Sequence, residues 1–203
     1  MIDYKIISSG SSGNCVIIGD VMIDCGVSFN KIKEDLYSIK YLLITHIHSD
    51  HLNKVTLQQI IKKFPRIVII GNYEVHGAAH TNIIANACFP VQTEDYIFYP
   101  FECEHDVLTY GFVFEQNGKR IIYCTDTGSM DEAPDGQFDY FFLESNHDEE
   151  KLEAARGLKK GTYDPYLSGK RHLSTQKAKA FYYMRRSGRE AEFIELHKSS
   201  RFY

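Results

Sequence analysis

Three histidines and an aspartate fall within six consecutive residues, His46, His48, Asp50 and His51, directly after the apolar run "YLLI". Residues two apart on a strand share a face, so His46 and His48 at a strand end can turn both rings onto one ion. Asp50 and His51 are adjacent, and their side chains leave the backbone in different directions, so they do not readily join that ion. A second metal accounts for them. The competing reading is a run of solvated histidines in a loop, which an apolar strand immediately upstream argues against.

Something must hold such a loop. "YKIISSG", "NCVIIGDVMIDCG" and "YLLITH" read as strands rich in β-branched residues, and "KVTLQQIIKKF" has apolar residues at helical spacing. "RIVIIG" predicts a strand, and residues 72–86 a helix with breaks. "YIFYPFECEH", "YGFVFEQNGKRIIYCTDTG" and "FDYFFLESN" return to strand, with Asn117-Gly118 predicting a two-residue hairpin turn. "DEEKLEAARGLKK" and "STQKAKAFYYMRRSG" predict helices, the second with Ser174 as N-cap and Gly188 as stop, and "AEFIELH" is a last strand. With no repeat or linker in 203 residues, and a hydrophobic content of 43% that suffices for a sizeable core, a single α/β domain over 1–203 is expected.

Composition narrows the setting. No apolar run reaches the roughly 18 residues of a membrane span, and "MIDYKIISSGSSGN" lacks a signal-peptide layout, so a cytoplasmic protein with no membrane partner is expected. The five cysteines form no C-x-x-C and are expected reduced and buried. The net charge of −4 divides unevenly. From Lys159 onward eleven Lys/Arg face four Asp/Glu, a net +7 that leaves −11 on the rest. Either the C-terminal part faces an anionic ligand or it is a solvated helix face.

"HIHSDH" fits the H-x-H-x-D-H signature of the metallo-β-lactamase-fold hydrolases, and the chain resembles that family nearly from end to end. The resemblance implies an αββα sandwich of two mixed β-sheets flanked by helices. It also implies further site residues in sequence order: Asp24 in "MIDCG", His105 in "ECEHD", Asp126 in "YCTDTG" and His197 in "IELHKSS". "SSGSSGNCVII", "MIDCGVS", "LESNHDEEKL" and "YLSGKRHLSTQKA" are similar to the YycJ-like branch, a bacterial and phage group regarded as DNA exonucleases. A phage origin would place the protein in the host cytoplasm. The segment between Gly71 and Thr93 is short, with no inserted domain like that of larger nucleases of the fold, which argues against long-duplex binding.

Carried over residue by residue, the pattern implies that His46, His48 and His105 hold one ion and Asp50, His51 and His197 the other, with Asp126 bridging. Asp24 would orient a ligand or the His-rich loop, although a plain strand-end turn residue is the alternative. Imidazole and carboxylate without thiolate suit Zn²⁺, and admit Mn²⁺ or Fe²⁺. Two such ions would generate a metal-bridging hydroxide as nucleophile and clamp the attacking and leaving oxygens of an in-line displacement, chemistry that favours phosphodiesters. Cys25 and Cys124 adjoin the motifs and are expected to pack rather than ligate. His76 and His80 lie one helical turn apart, off the family pattern.

"SGKRHLS" carries Ser168, Lys170, Arg171 and His172 just before a predicted helix N-terminus. These are expected to bind substrate phosphates, with His147 also lining the site. His172, with Asp50, is expected among the catalytic residues, contacting the scissile phosphate or protonating the leaving oxygen. The alternative leaves Lys170 and Arg171 solvated and His172 as a cap. Tyr163, Tyr166, Tyr182 and Tyr183 could stack bases, with core packing the default for the last two. "SSGSSGN" could approach a ligand with its backbone N–H groups or be a tight strand connection.

The expected activity is binuclear hydrolysis of nucleic-acid phosphodiesters in an exonuclease-like manner. The alternative keeps the site and takes a cyclic nucleotide or other small phosphodiester. A lactamase, a thioesterase or a non-catalytic metal-binding module is a weaker fit. The family's lactamases often place cysteine at the position of Asp126, and its di-iron members a glutamate at that of His48. The expected partner is a nucleic-acid or nucleotide substrate, and a homodimer is left open.

Overall fold

The computed structural model describes residues 1–158 and 164–199, and the chain forms two compact units, Met1–Val91 and Gln92–Tyr203. The first holds a six-stranded mixed sheet of β1 (Tyr4–Ser8), β2 (Cys15–Ile18), β3 (Val21–Ile23), β4 (Tyr41–Ile44), β5 (Val68–Gly71) and β6 (Ile83–Ile84), in that spatial order. Strands β1 to β3 pair antiparallel and β3 to β6 run parallel. Helices α1 (Phe29–Ile32), α2 (Lys54–Lys63) and α3 (Tyr73–Ala79) belong to this unit.

The second sheet contains β7 (Val91–Gln92), β8 (Ile97–Cys103), β9 (Thr109–Gln116), β10 (Lys119–Cys124), β11 (Tyr140–Glu144) and β12 (Glu192–Leu196), in the order β12-β11-β10-β9-β8-β7. Here β8, β9 and β10 are antiparallel, while β10, β11 and β12 are parallel. Its helices are α4 (Glu149–Ala154), α5 (Pro165–Gly169) and α6 (Thr175–Arg185). Two mixed sheets with associated helices are the elements expected from the sequence.

The strand sequences explain the sheets. A parallel strand covered on both faces needs a continuous apolar run rather than alternation. Every residue of β3, β4 and β11 is buried accordingly. Met22, Leu42, Ile44, Leu57 and Ile60 pack in the first unit's core, and Phe101, Val113, Ile122, Phe138, Phe141 and Phe181 in the second's. The Asn117-Gly118 turn forms as predicted: φ is 53° and 69°, and Gln116 pairs with Lys119 across a two-residue loop. Ser174 caps α6 by accepting from Lys177 N.

Several expectations are corrected. "NCVIIGDVMIDCG" is a hairpin, not one strand, because the chain reverses at Gly19 with φ 58°. The helix expected over 72–86 covers only Tyr73–Ala79. His80 leaves helical geometry with φ 45°, and Ile83 and Ile84 then pair with β5. Helix α4 ends at Ala154, before Gly157 with φ 78°, and the remainder of the predicted helix from Lys159 on lies outside the described residues, as does Tyr163. Helix α6 ends at Arg185, short of Gly188, because Arg186 is extended and bridges Phe138. Cys88 is exposed, unlike the other four cysteines. No helix among the described residues is long and apolar enough to cross a membrane.

Candidate functional site

In both units the polar clusters sit at the carboxyl ends of parallel strands, where open α/β sheets place ligands. In the first unit Asp24 follows β3, Thr45 and His46 follow β4, and Asn72 follows β5. Asp24 is fully buried, and its carboxylate accepts from Thr45 N (2.8 Å), from Thr45 Oγ1 (2.9 and 3.0 Å) and from His51 Nδ1 (2.7 Å). The carboxylate thus fixes the His51 ring, as an outer carboxylate does for a metal-binding imidazole.

The "THIHSDH" loop gathers its own side chains. The rings of His46 and His51 lie 4.1 Å apart, His46 Nε2 is 3.1 Å from His48 Nδ1, and Asp50 Oδ2 is 3.8 Å from His51 Nε2. Two ring nitrogens at hydrogen-bonding distance and a fixed imidazole beside a carboxylate form a donor set suited to divalent transition metals.

"SSGSSGN" is a strand connection that clamps this loop, through a residue the sequence reading passed over. Asn14 is buried; its N–H donates to Asp50 O (2.6 Å), its carbonyl accepts from Gly26 N (2.9 Å) and its Nδ2 lies 2.8 Å from His51 Nε2. Gly26 is required by close approach, since a Cβ there would lie 1.7 Å from Asp50 O. Asn14 gave a faint signal, a small amide ending a Gly/Ser run before an apolar strand.

In the second unit Asp126 follows β10, Glu144 ends β11 and His197 follows β12. Glu144, absent from the expected set, is the hub. It is fully buried: Oε1 accepts from His172 Nδ1 and His197 Nδ1, both at 2.7 Å, while Oε2 accepts from Thr127 N (3.0 Å) and Leu173 N (3.1 Å). Asp126 Oδ1 lies 3.4 Å from His172 Nδ1 and 3.5 Å from His197 Nδ1. Asp126, Glu144, His172 and His197 each offer a ligand atom within 4.8 Å of the others. His105 is near this group, its ring 6.1 Å from that of His172, with Nε2 at 3.1 Å from Asp106 Oδ1.

Electrostatics follow from this packing. Burial would raise the Glu144 carboxyl, but the hydrogen bonds and charges of His172 and His197 outweigh it and hold its pKa below the ordinary glutamate value. Burial would also depress His172, but the hydrogen bond and charge of Glu144, with Asp126, outweigh it and raise its pKa. His147, by contrast, is pushed down by burial. Three site residues also adopt left-handed backbone at strand ends: Asp24 (φ 61°), Asp126 (φ 56°) and His197 (φ 52°). Each such residue costs on the order of 1–3 kcal/mol and persists where the surroundings dictate it, typically at functional sites.

The proposed substrate residues separate. His147, Lys170 and His172 line one cleft of about 400 Å³ that also carries Lys177 and the carboxylates of Glu149 and Glu153. Ser168 lies within α5, and Arg171 reaches Asp106 at 3.6 Å. Lys170 lies over the Tyr166 ring. Asp148, the residue after His147, caps α4 by accepting from Lys151 N. Tyr182 packs on Phe141 and Phe193, while Tyr183 is exposed beneath Arg186. Cys25 and Cys124 are buried thiols with raised pKa values, Cys25 through burial and Cys124 through its 3.3 Å contact with Cys103 and burial. His76 and His80 pack against one another at the end of α3, with His76 Nδ1 accepting from Thr81 N.

A family model described as "Beta-lactamase superfamily domain" matches residues 20–183. The chain is 25% identical to a Bacillus anthracis protein described as "Exodeoxyribonuclease YycJ", over 75% of this chain and 66% of that protein, so it spans just under two thirds of the relative's length. Among solved structures it is similar to the metallo-β-lactamase-fold protein YhfI of Bacillus subtilis (TM-score 0.72, 14% identity, covering 98% of this chain and 87% of that one). It is also similar to human tRNase Z, short form (TM-score 0.69, 17% identity, covering 99% and 94%).

Proposed function

The chain belongs to the β-lactamase superfamily, in its metallo-β-lactamase-fold, YycJ-like part, and from that premise we propose that it is a metal-dependent phosphodiesterase acting on the ends of nucleic-acid strands. The observation that carries the reading is the Glu144 hub. One buried carboxylate holds two imidazoles by their Nδ1 atoms, so that each ring keeps its Nε2 as a further donor or ligand atom. His172, held through Nδ1 by Glu144 and placed on a cleft with Lys170 and Lys177, is positioned to donate a proton to a departing oxygen beside a phosphate.

In this proposal His46, His48, Asp50 and His51 of the first unit and His105, Asp126 and His197 of the second would be the residues that hold divalent ions. Zn²⁺ fits the imidazole and carboxylate donors, and Mn²⁺ or Fe²⁺ fits them too. Bound there, the ions would supply Lewis acidity and an activated water at neutral pH. The chain's own groups do the rest. Asp24 and Glu144 fix the imidazoles, Lys170 and Lys177 attract phosphate, and His172 protonates the leaving group. The description of the Bacillus anthracis relative as an exodeoxyribonuclease supports a DNA substrate.

Purified protein is expected to carry about two metal ions per chain, and Asp50→Ala or His197→Ala to abolish chelator-sensitive hydrolysis while circular dichroism stays native. The deciding assay is a panel of end-labelled single- and double-stranded DNA, RNA and cyclic nucleotides, with Zn²⁺ and with Mn²⁺. Cleavage confined to cyclic nucleotides would replace the polymer by a small phosphodiester. No bound metal and no hydrolysis would sink the proposal.

A further inference from the structure

We propose that a second cleft in the Gln92–Tyr203 unit, between one face of α6 and the loop after Asp126, holds a nucleoside of the substrate strand adjoining the scissile phosphate. The inference rests on the phosphodiesterase reading and extends it to a base-binding subsite. The cleft is larger than the His172 cleft, about 680 Å³, within the range of pockets that take a nucleotide-sized ligand. Its floor is apolar: Leu173 and Phe181 are buried, and Phe181 is held by Phe138 and Phe141. Met130 on the loop and Met184 on α6 face it with flexible thioethers, side chains that adapt to flat apolar ligands. Met184 is 72% exposed, a large apolar surface that the unit's own packing does not cover.

Position and charge select the occupant. Glu144 Oε2 accepts from both Thr127 N and Leu173 N, so the carboxylate that orients His172 also anchors the start of both cleft walls. Because the two clefts share Lys177 as a lining residue, a strand whose phosphate lies at His172 can extend its neighbouring nucleoside toward this one. Lys177 lines both clefts and can contact the phosphate between them, while Arg185, farther along the same helix face, is paired with Asp135 at 2.8 Å. Asp131 on the opposite wall offers an acceptor to a base amino group. An apolar floor with Lys177 at the rim shared by the two clefts suits a base with its phosphate better than an apolar peptide.

The test uses the 203-residue chain and a single-stranded oligodeoxynucleotide carrying 5-iododeoxyuridine near its end. Photo-crosslinking to chelated protein is expected to map to residues 129–131 or 177–185. Met184→Glu, at an exposed position, is expected to raise KM for the unmodified oligonucleotide about tenfold, the loss of roughly one base contact. Crosslinks confined to other segments, or an unchanged KM, would overturn the assignment. Crosslinking in the cleft without any cleavage by the metal-loaded protein would instead refute the phosphodiesterase reading, and with it the substrate role of the cleft, leaving a nucleoside-binding cleft alone.

Discussion

In the first unit the three imidazoles and the carboxylate of the cluster come from one loop of seven residues, "THIHSDH", whereas in the second Asp126, Glu144, His172 and His197 come from four segments between positions 126 and 197. Each cluster is organised by one fully buried carboxylate, Asp24 or Glu144. The surroundings differ. Asp24 collects the loop it faces, with Asn14 and Gly26 pinning that loop through the backbone of Asp50. Glu144 instead joins segments that are remote in sequence, with all four contacts passing through its two oxygens. A local cluster can therefore spread its support over backbone contacts, while a dispersed one concentrates it in a single side chain.

That contrast predicts an order of damage. Glu144→Ala strands two imidazole N–H groups and two backbone N–H groups in the interior, so a loss of about 3–5 kcal/mol is expected in urea unfolding. Glu144→Gln, which keeps the volume, is expected to lose less stability and to lower activity about 10- to 100-fold through misplaced imidazoles. A Glu144→Ala loss no larger than that of Asp24→Ala, which strands fewer donors, would break the comparison. Gly26→Ala comes next. Its Cβ must push the Asp50 carbonyl aside, and a cost of about 1–3 kcal/mol with weakened metal binding by titration is expected.

The pH dependence of metal-free protein sharpens the same point. His172 has a raised folded pKa, so its contribution is complete below the unfolded histidine value near about 6.5 and fades as pH rises through the folded value. Glu144 has a lowered folded pKa, so its contribution is present above about 4.3 and is lost as pH falls through the folded value. Unfolding free energy is thus expected to peak between the two, and Glu144→Gln to flatten the peak. The smallest effect belongs to a turn remote from both clusters. At Gly118, φ is 69° with open space around, so Gly118→Ala should cost about 1–2 kcal/mol by thermal melting without altering metal content.

Much of this was legible from residues alone. The Asn117-Gly118 hairpin, the Ser174 cap and the His loop are written in short spacings, because turn, cap and strand-end geometry depend on the next few residues. Others were not. The split of β2 from β3 turns on one Gly19 conformation, and β6 exists only because β5 is there to pair with it. Glu144 left a single trace, a carboxylate closing the wholly buried run Tyr140–Glu144, where a charge is out of place unless it has partners.

The sequence by itself determined the adjacency of His46, His48, Asp50 and His51, and with it the kind of chemistry to expect, since the spacing of donors within a loop is fixed by covalent geometry. The tertiary structure decided which carboxylate holds which imidazole. Glu144 reaches His172 across 28 positions and His197 across 53, and parallel pairing of β10, β11 and β12 alone brings Asp126, Glu144 and His197 to the same edge of one sheet.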